Sequence, residues 1–78
     1  MNWRERIAVD NEVLAGKPVV CGTRLAVEFL LGLMAQGWNE QQILENYPQL
    51  RRENLQAVFA FSADCLHNEP FFGQALAA

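Results

Sequence analysis

Arg51, Arg52, Asn54 and Gln56 are the side chains best equipped to read another molecule, because each carries a planar group able to make paired hydrogen bonds. Arginine matches the two acceptors on a guanine edge, and asparagine or glutamine matches the acceptor and donor of adenine. These residues open the longest helical pattern of the chain, directly after a short helix and a turn containing Pro48. In a helix-turn-helix motif, that is where side chains enter the major groove. The other reading of the same residues is an ordinary solvated helix start. Lys17 and Arg24, beside a sharp turn, can add phosphate contacts. Arg24 can equally bridge backbone carbonyls or a carboxylate such as Glu28 or Glu53.

Other chemistry finds less material. His67 stands two residues after Cys65, with Cys21 far away, whereas structural zinc takes four ligands in recognisable pairs. A helix-end histidine and no metal are expected. Gly16-Lys17 and Gly22-Thr23 place the lysine before the second glycine, the wrong order for a phosphate-binding loop, so no nucleotide cofactor is expected. A nucleophile, base and orienting group would have to come from one histidine, two cysteines and scattered acids, which argues against an enzyme. The cysteines read as reduced thiols of a cytoplasmic protein, behaving as small buried hydrophobes.

The elements that must position these residues follow from composition and periodicity. At 78 residues the chain forms one domain with a small core. Hydrophobic residues make up 51% and charged residues 19%, a proportion that leaves apolar surface for a partner, most simply a second copy. A net charge of −3 exerts no global pull on phosphate backbones, yet all six basic residues lie at or before Arg52, which leaves room for a small basic face. The longest apolar run, Leu25 to Ala35, is interrupted by Glu28 and Gly32 and falls short of the roughly 20 residues that cross a bilayer. A soluble protein that does not enter membranes is expected.

Along the chain, Ile7 and Val9 predict one short strand and Val19-Val20 a second, joined as a β-ribbon. Pro18 keeps Lys17 extended, and Gly22 supplies a positive φ where the chain turns toward a helix. Val27, Leu30, Leu31 and Met34 repeat at helical spacing from about Ala26 to Gln36, with Gly37 to end the helix. Asn39 and Gln42 form a capping pair for a helix over Glu40 to Asn46, with Ile43 and Leu44 inward, stopped by Tyr47-Pro48. Arg52 to Leu66 predicts the longest helix, with Leu55, Val58, Phe59, Ser62 and Leu66 along one side and Phe61 and Cys65 widening it. That surface exceeds what so small a core covers, so Phe59, Phe61, Leu66, Phe71 and Phe72 are candidates for a dimer or partner interface.

The run Gly16-Lys17-Pro18-Val19-Val20-Cys21-Gly22-Thr23-Arg24, extended through Leu25, Val27 and Glu28, resembles the signature of the small DUF433 proteins: Gly-Lys-Pro, two apolar residues, X-Gly-Thr-Arg, apolar, Pro, Val-Glu. The resemblance continues through Gly37, Tyr47-Pro48, Leu50, Leu55, Ala57 and Phe61, covering about Ile7 to Asp64. Ala26 stands where the family usually has Pro, and Arg51 where it has a Thr or Ser cap, so both helix starts lack their usual support. The resemblance implies a helix-turn-helix-like core. For some members it implies an antitoxin role beside a PIN-type ribonuclease toxin.

The expected architecture is therefore mainly α: a β-ribbon arm and turn (1–24), a homeodomain-like three-helix core (25–66) and a C-terminal tail (67–78). The expected function is a homodimeric, DNA-binding, antitoxin-like protein in which Arg51, Arg52, Asn54, Gln56, Lys17 and Arg24 contact double-stranded DNA while a PIN-type toxin is the protein partner. The alternative is a dimeric interaction module that never touches DNA. The final Ala75-Leu76-Ala77-Ala78 resembles the end of a bacterial degradation tag; its other reading is a docking segment with Phe71 and Phe72.

Overall fold

Val19 and Val20, β-branched and extended behind Pro18, form the strand on which the N-terminal half is assembled. The computed structural model describes residues 2–67. A 3₁₀ turn at Trp3–Glu5 leads into β1 (Ile7–Ala8), a second such turn at Leu14–Gly16 precedes β2 (Val19–Val20), and three helices follow: α1 (Val27–Ala35), α2 (Glu40–Asn46) and α3 (Arg52–His67). The strands pair antiparallel, Ile7 with Val20 and Ala8 with Val19. The first strand stops one residue short of the expected Val9, which is 63% exposed.

The loop between the strands carries three successive residues at positive φ, Leu14 (49°), Ala15 (56°) and Gly16 (84°). Only the glycine adopts this region without steric penalty, and nothing in the sequence pattern signals the other two. The carboxylate of Asp10 accepts from the Glu12 N–H at 2.9 Å, and the Asp10 carbonyl accepts from Val13 at 2.9 Å, so local hydrogen bonds hold the loop.

After β2 the chain reverses as anticipated. Gly22 sits at φ +77°, the Thr23 N–H donates to the Val20 carbonyl at 3.0 Å, and the arrangement matches the third position of a type II turn. Thr23 reinforces it twice, its hydroxyl donating to Val20 O at 2.8 Å and accepting from Leu25 N–H at 3.0 Å. Cys21, at the tip, is exposed rather than buried, because the turn points its second residue into solvent; Cys65 on α3 is also exposed.

Both unsupported helix starts find substitutes. Ala26 precedes α1 in extended conformation with no side-chain cap, but the first helical N–H, of Val27, donates to the Pro18 carbonyl at 2.9 Å. The strand thus satisfies a donor that a helix terminus would leave open. At α3, where Arg51 offers no hydroxyl, Asn54 reaches back and its Oδ1 accepts from the Arg51 N–H at 2.7 Å. The second helix has the full reciprocal box between Asn39 and Gln42, both bonds at 2.8 Å. Gly37, at φ +99°, ends α1 and donates to Met34 O at 3.0 Å.

The core comprises Ile7, Val20, Val27, Leu30, Ile43, Leu50, Leu55, Ala57 and Val58. Fully burying each of the larger aliphatic side chains contributes about 1.5–3 kcal/mol. Leu44 is half-buried beside it. The inward stripe of α3 differs from the expected one: Leu55, Ala57 and Val58 are buried and Phe61 and Ser62 half-buried, while Phe59 (52%) and Leu66 (51%) are exposed. Ala57 explains the rotation. A small residue lets α3 lie close against the domain on that side, turning the face that carries Gln56 and Phe59 outward.

Candidate nucleic-acid interface

The short connection from Tyr47 to Arg51 sets the start of α3 against α2. Tyr47 N–H donates to Ile43 O and Leu50 N–H to Tyr47 O, both at 2.9 Å, and the buried Leu50 fastens the turn to the core. Arg51, Arg52 and Gln56 emerge exposed from this support, with Arg52 and Gln56 four residues apart on one side of α3. Arg52 is partnered: its Nε lies 3.3 Å from Glu40 Oε1 at the start of α2. With side chains 70% and 49% exposed, this ion pair is worth at most about 1 kcal/mol and yields readily to a competing anion.

Asn54 is placed differently. It is half-buried and its side-chain oxygen is occupied by the Arg51 N–H, so its role in the structure is that of a cap. Lys17 is held by Glu28 of α1, in an exposed pair, and stands beside Ser62, Cys65 and Leu66 in the last turns of α3. The helical rise puts that end about 15 Å or more from Arg52, so Lys17 is not gathered with the arginines. Arg24 is exposed just before α1, and the Glu28 carboxylate, one of the partners open to it, pairs with Lys17. The electrostatics near the arginines are mixed, since Glu40, paired with Arg52, and the neighbouring Glu53 are also exposed.

Continuing along the outer side of α3, Phe59 follows Gln56, and Leu66 lies two turns further on. Phe61, proposed with them as a partner contact, instead meets the N-terminal turn: its ring lies 4.9 Å from that of Trp3. Phe71 and Phe72 lie outside the described residues. The role of Trp3 was missed by sequence reasoning. Its usable signal was an aromatic residue with an indole donor, just outside the ribbon, facing an aromatic third helix. A second ring pair joins α1 to the turn before α3, Phe29 against Tyr47 at 5.8 Å. Among the described residues, no cluster of three or more His, Cys, Asp or Glu is placed to hold a metal ion.

Comparison with known proteins agrees with the signature that runs from Gly16 to Glu28. The sequence profile of DUF433, described as a protein of unknown function, matches residues 7–62. The crystal structure of a DUF433 member from Anabaena variabilis superposes with a TM-score of 0.73 at 26% identity, covering 94% of this chain and 69% of that one. No curated protein matches. With the profile spanning the ribbon, the turn and nearly all of the three-helix core, this chain belongs to the DUF433 family.

Proposed function

We propose that this protein is a small DNA-binding, antitoxin-like protein that reads duplex DNA with the start of α3 and binds a toxin of the PIN ribonuclease type with other surfaces. The observation that carries the proposal is the joint exposure of Arg51, Arg52 and Gln56 on the first turns of a helix that follows a short helix and a tight turn. Arg52 and Gln56 supply the base-reading groups, Arg51 a phosphate contact, and Asn54 the cap that fixes the helix start. Arg24 adds at most a peripheral phosphate contact, and Lys17 none on the same face. Such a protein works as a homodimer in the cytoplasm, presenting two copies of α3 to successive major grooves.

Titrating the protein into duplex from upstream of its own reading frame and into a random duplex, over a series of salt concentrations, tests this. Sequence preference with a negative salt slope supports it; equal, salt-insensitive or absent binding removes it.

A second reading, a dimeric interaction module that does not bind DNA, is favoured by the exposed Phe59 and Leu66 and by the acids around Arg52. The same titration separates the two.

A further inference from the structure

A groove of about 380 Å³ runs between the β-ribbon, α1 and the last turns of α3. Its floor is apolar, formed by Pro18, Val27, Leu31, Phe61, Cys65 and Leu66, and Lys17 and Glu28 pair across its rim. Its lining on α3 reaches Leu66, next to His67, the last described residue, and the sequence continues as Asn68-Glu69-Pro70-Phe71-Phe72-Gly73-Gln74-Ala75-Leu76-Ala77-Ala78. We propose that this groove is the docking site of the chain's own C-terminal segment, with Phe71 and Phe72 as its anchors.

Reach, chemistry and tethering support this occupant. Pro70 disfavours helical backbone at Glu69, so the sequence itself argues against extending α3 past the groove. The three residues Asn68 to Pro70 span about 10 Å when extended, and the six steps from Phe61 to His67 rise about 9 Å along the helix, so Phe71 can return to the level of Phe61. Two adjacent phenylalanines carry the large apolar area that a groove with almost no polar lining accepts. A short covalent tether gives an effective concentration in the millimolar range, well above that at which a second copy would compete.

Cys65 lines the groove and reports on it, and Cys21, exposed in the turn after β2 and not among the lining residues, is an internal control. Alkylation of the full-length chain with iodoacetamide, followed at each cysteine by peptide mass spectrometry, is compared between the unaltered protein and Phe71→Ser/Phe72→Ser. The proposal expects Cys65 to react several-fold faster in the variant, with Cys21 and the helix content by circular dichroism unchanged. An unchanged Cys65 rate overturns it. In the unaltered chain, contacts between the Phe71 and Phe72 rings and the Leu31 and Leu66 methyls are expected in nuclear Overhauser spectra. Their absence overturns the proposal, as does their appearance only between molecules in a mixture of labelled and unlabelled protein, which would make a second copy the occupant.

Discussion

The indole of Trp3 stands edge-on to the phenyl ring of Phe61, centroids 4.9 Å apart and planes at 83°. Its Nε1–H donates to the Asp64 carboxylate one turn further along α3, and the Arg4 guanidinium lies over the indole, 4.5 Å from the ring centroid. One side chain thus joins the N-terminal turn to the middle of the third helix, with apolar area, a directed ring pair and a charge-assisted hydrogen bond. Trp3→Ala should therefore destabilise the domain by about 2–3 kcal/mol, less than a fully buried tryptophan because Trp3 is only half-buried. Trp3→Phe should cost about 1 kcal/mol, keeping the ring pair and losing the indole donor. Urea unfolding followed by circular dichroism measures both, and an alanine variant of wild-type stability would detach Trp3 from the fold's energetics.

Gly22 and Gly32 should respond in opposite senses to a side chain. Neither would meet another atom within 4 Å of an added Cβ, so sterics between side chains do not decide. Gly22 is at φ +77°, and Gly22→Val should lose more than about 1 kcal/mol, since a β-branched residue resists that conformation. Gly32 lies within α1, and Gly32→Ala should gain about 0.5–1 kcal/mol of helix propensity. Thermal melting of the pair checks the turn and the helix independently.

Ala15, at φ 56° and ψ 34°, is a left-handed residue with a side chain. Ala15→Gly should stabilise by roughly 1 kcal/mol, because relief of the Cβ clash exceeds the added freedom of the unfolded chain. A lower unfolding midpoint for the variant would show that the loop does not hold this conformation in solution.

Phe59 and Leu66 are the large apolar residues of α3 that are exposed. In sedimentation at high micromolar concentration the chain should self-associate through the side of α3 that carries Phe59, which lies outside the groove, and Phe59→Ser should sediment as monomer with helix content retained. A monomeric wild-type protein would remove the dimer and with it the pairing of two α3 helices on DNA.

Local signals carried most of the architecture. Asn39 with Gln42 marked α2, Gly22 marked the reversal, and Val27 and Leu30 marked the inner side of α1, because each acts within a turn or two of its own position. What was not legible depended on contacts distant in sequence. Phe59 and Val58 are neighbours of similar hydrophobicity, and only the close approach made by Ala57 decides that Val58 is inside. Trp3 and Asp64 meet across 61 positions, a pairing no periodicity announces. The candidate site divides the same way. Arg51, Arg52 and Gln56 share the helix start that their spacing implied, whereas the use of Asn54 as a cap followed from Arg51 lacking a hydroxyl. Lys17 was grouped with them by charge and by the nearby turn, and it stands between the second 3₁₀ turn and β2, beside the opposite end of α3.

Neutralising Glu40 should free Arg52 at little structural cost. Glu40→Gln is expected to leave stability within about 1 kcal/mol, since the pair is exposed, and to tighten DNA binding by removing both the competing partner and a like charge for the phosphates. Fluorescence anisotropy with labelled duplex, beside a denaturation curve, reads both quantities; weaker binding would place Glu40 on the side of recognition.

The most direct test is the salt dependence of binding to duplex from upstream of the chain's own reading frame, measured for the wild type and for Arg51→Ala/Arg52→Ala. The account predicts preference for that duplex over random sequence, with log affinity falling linearly with log salt. In the double variant the preference should be lost and the slope reduced by about one per phosphate contact removed. Binding that is identical in the two proteins, or no binding by the wild type at low salt, would contradict it.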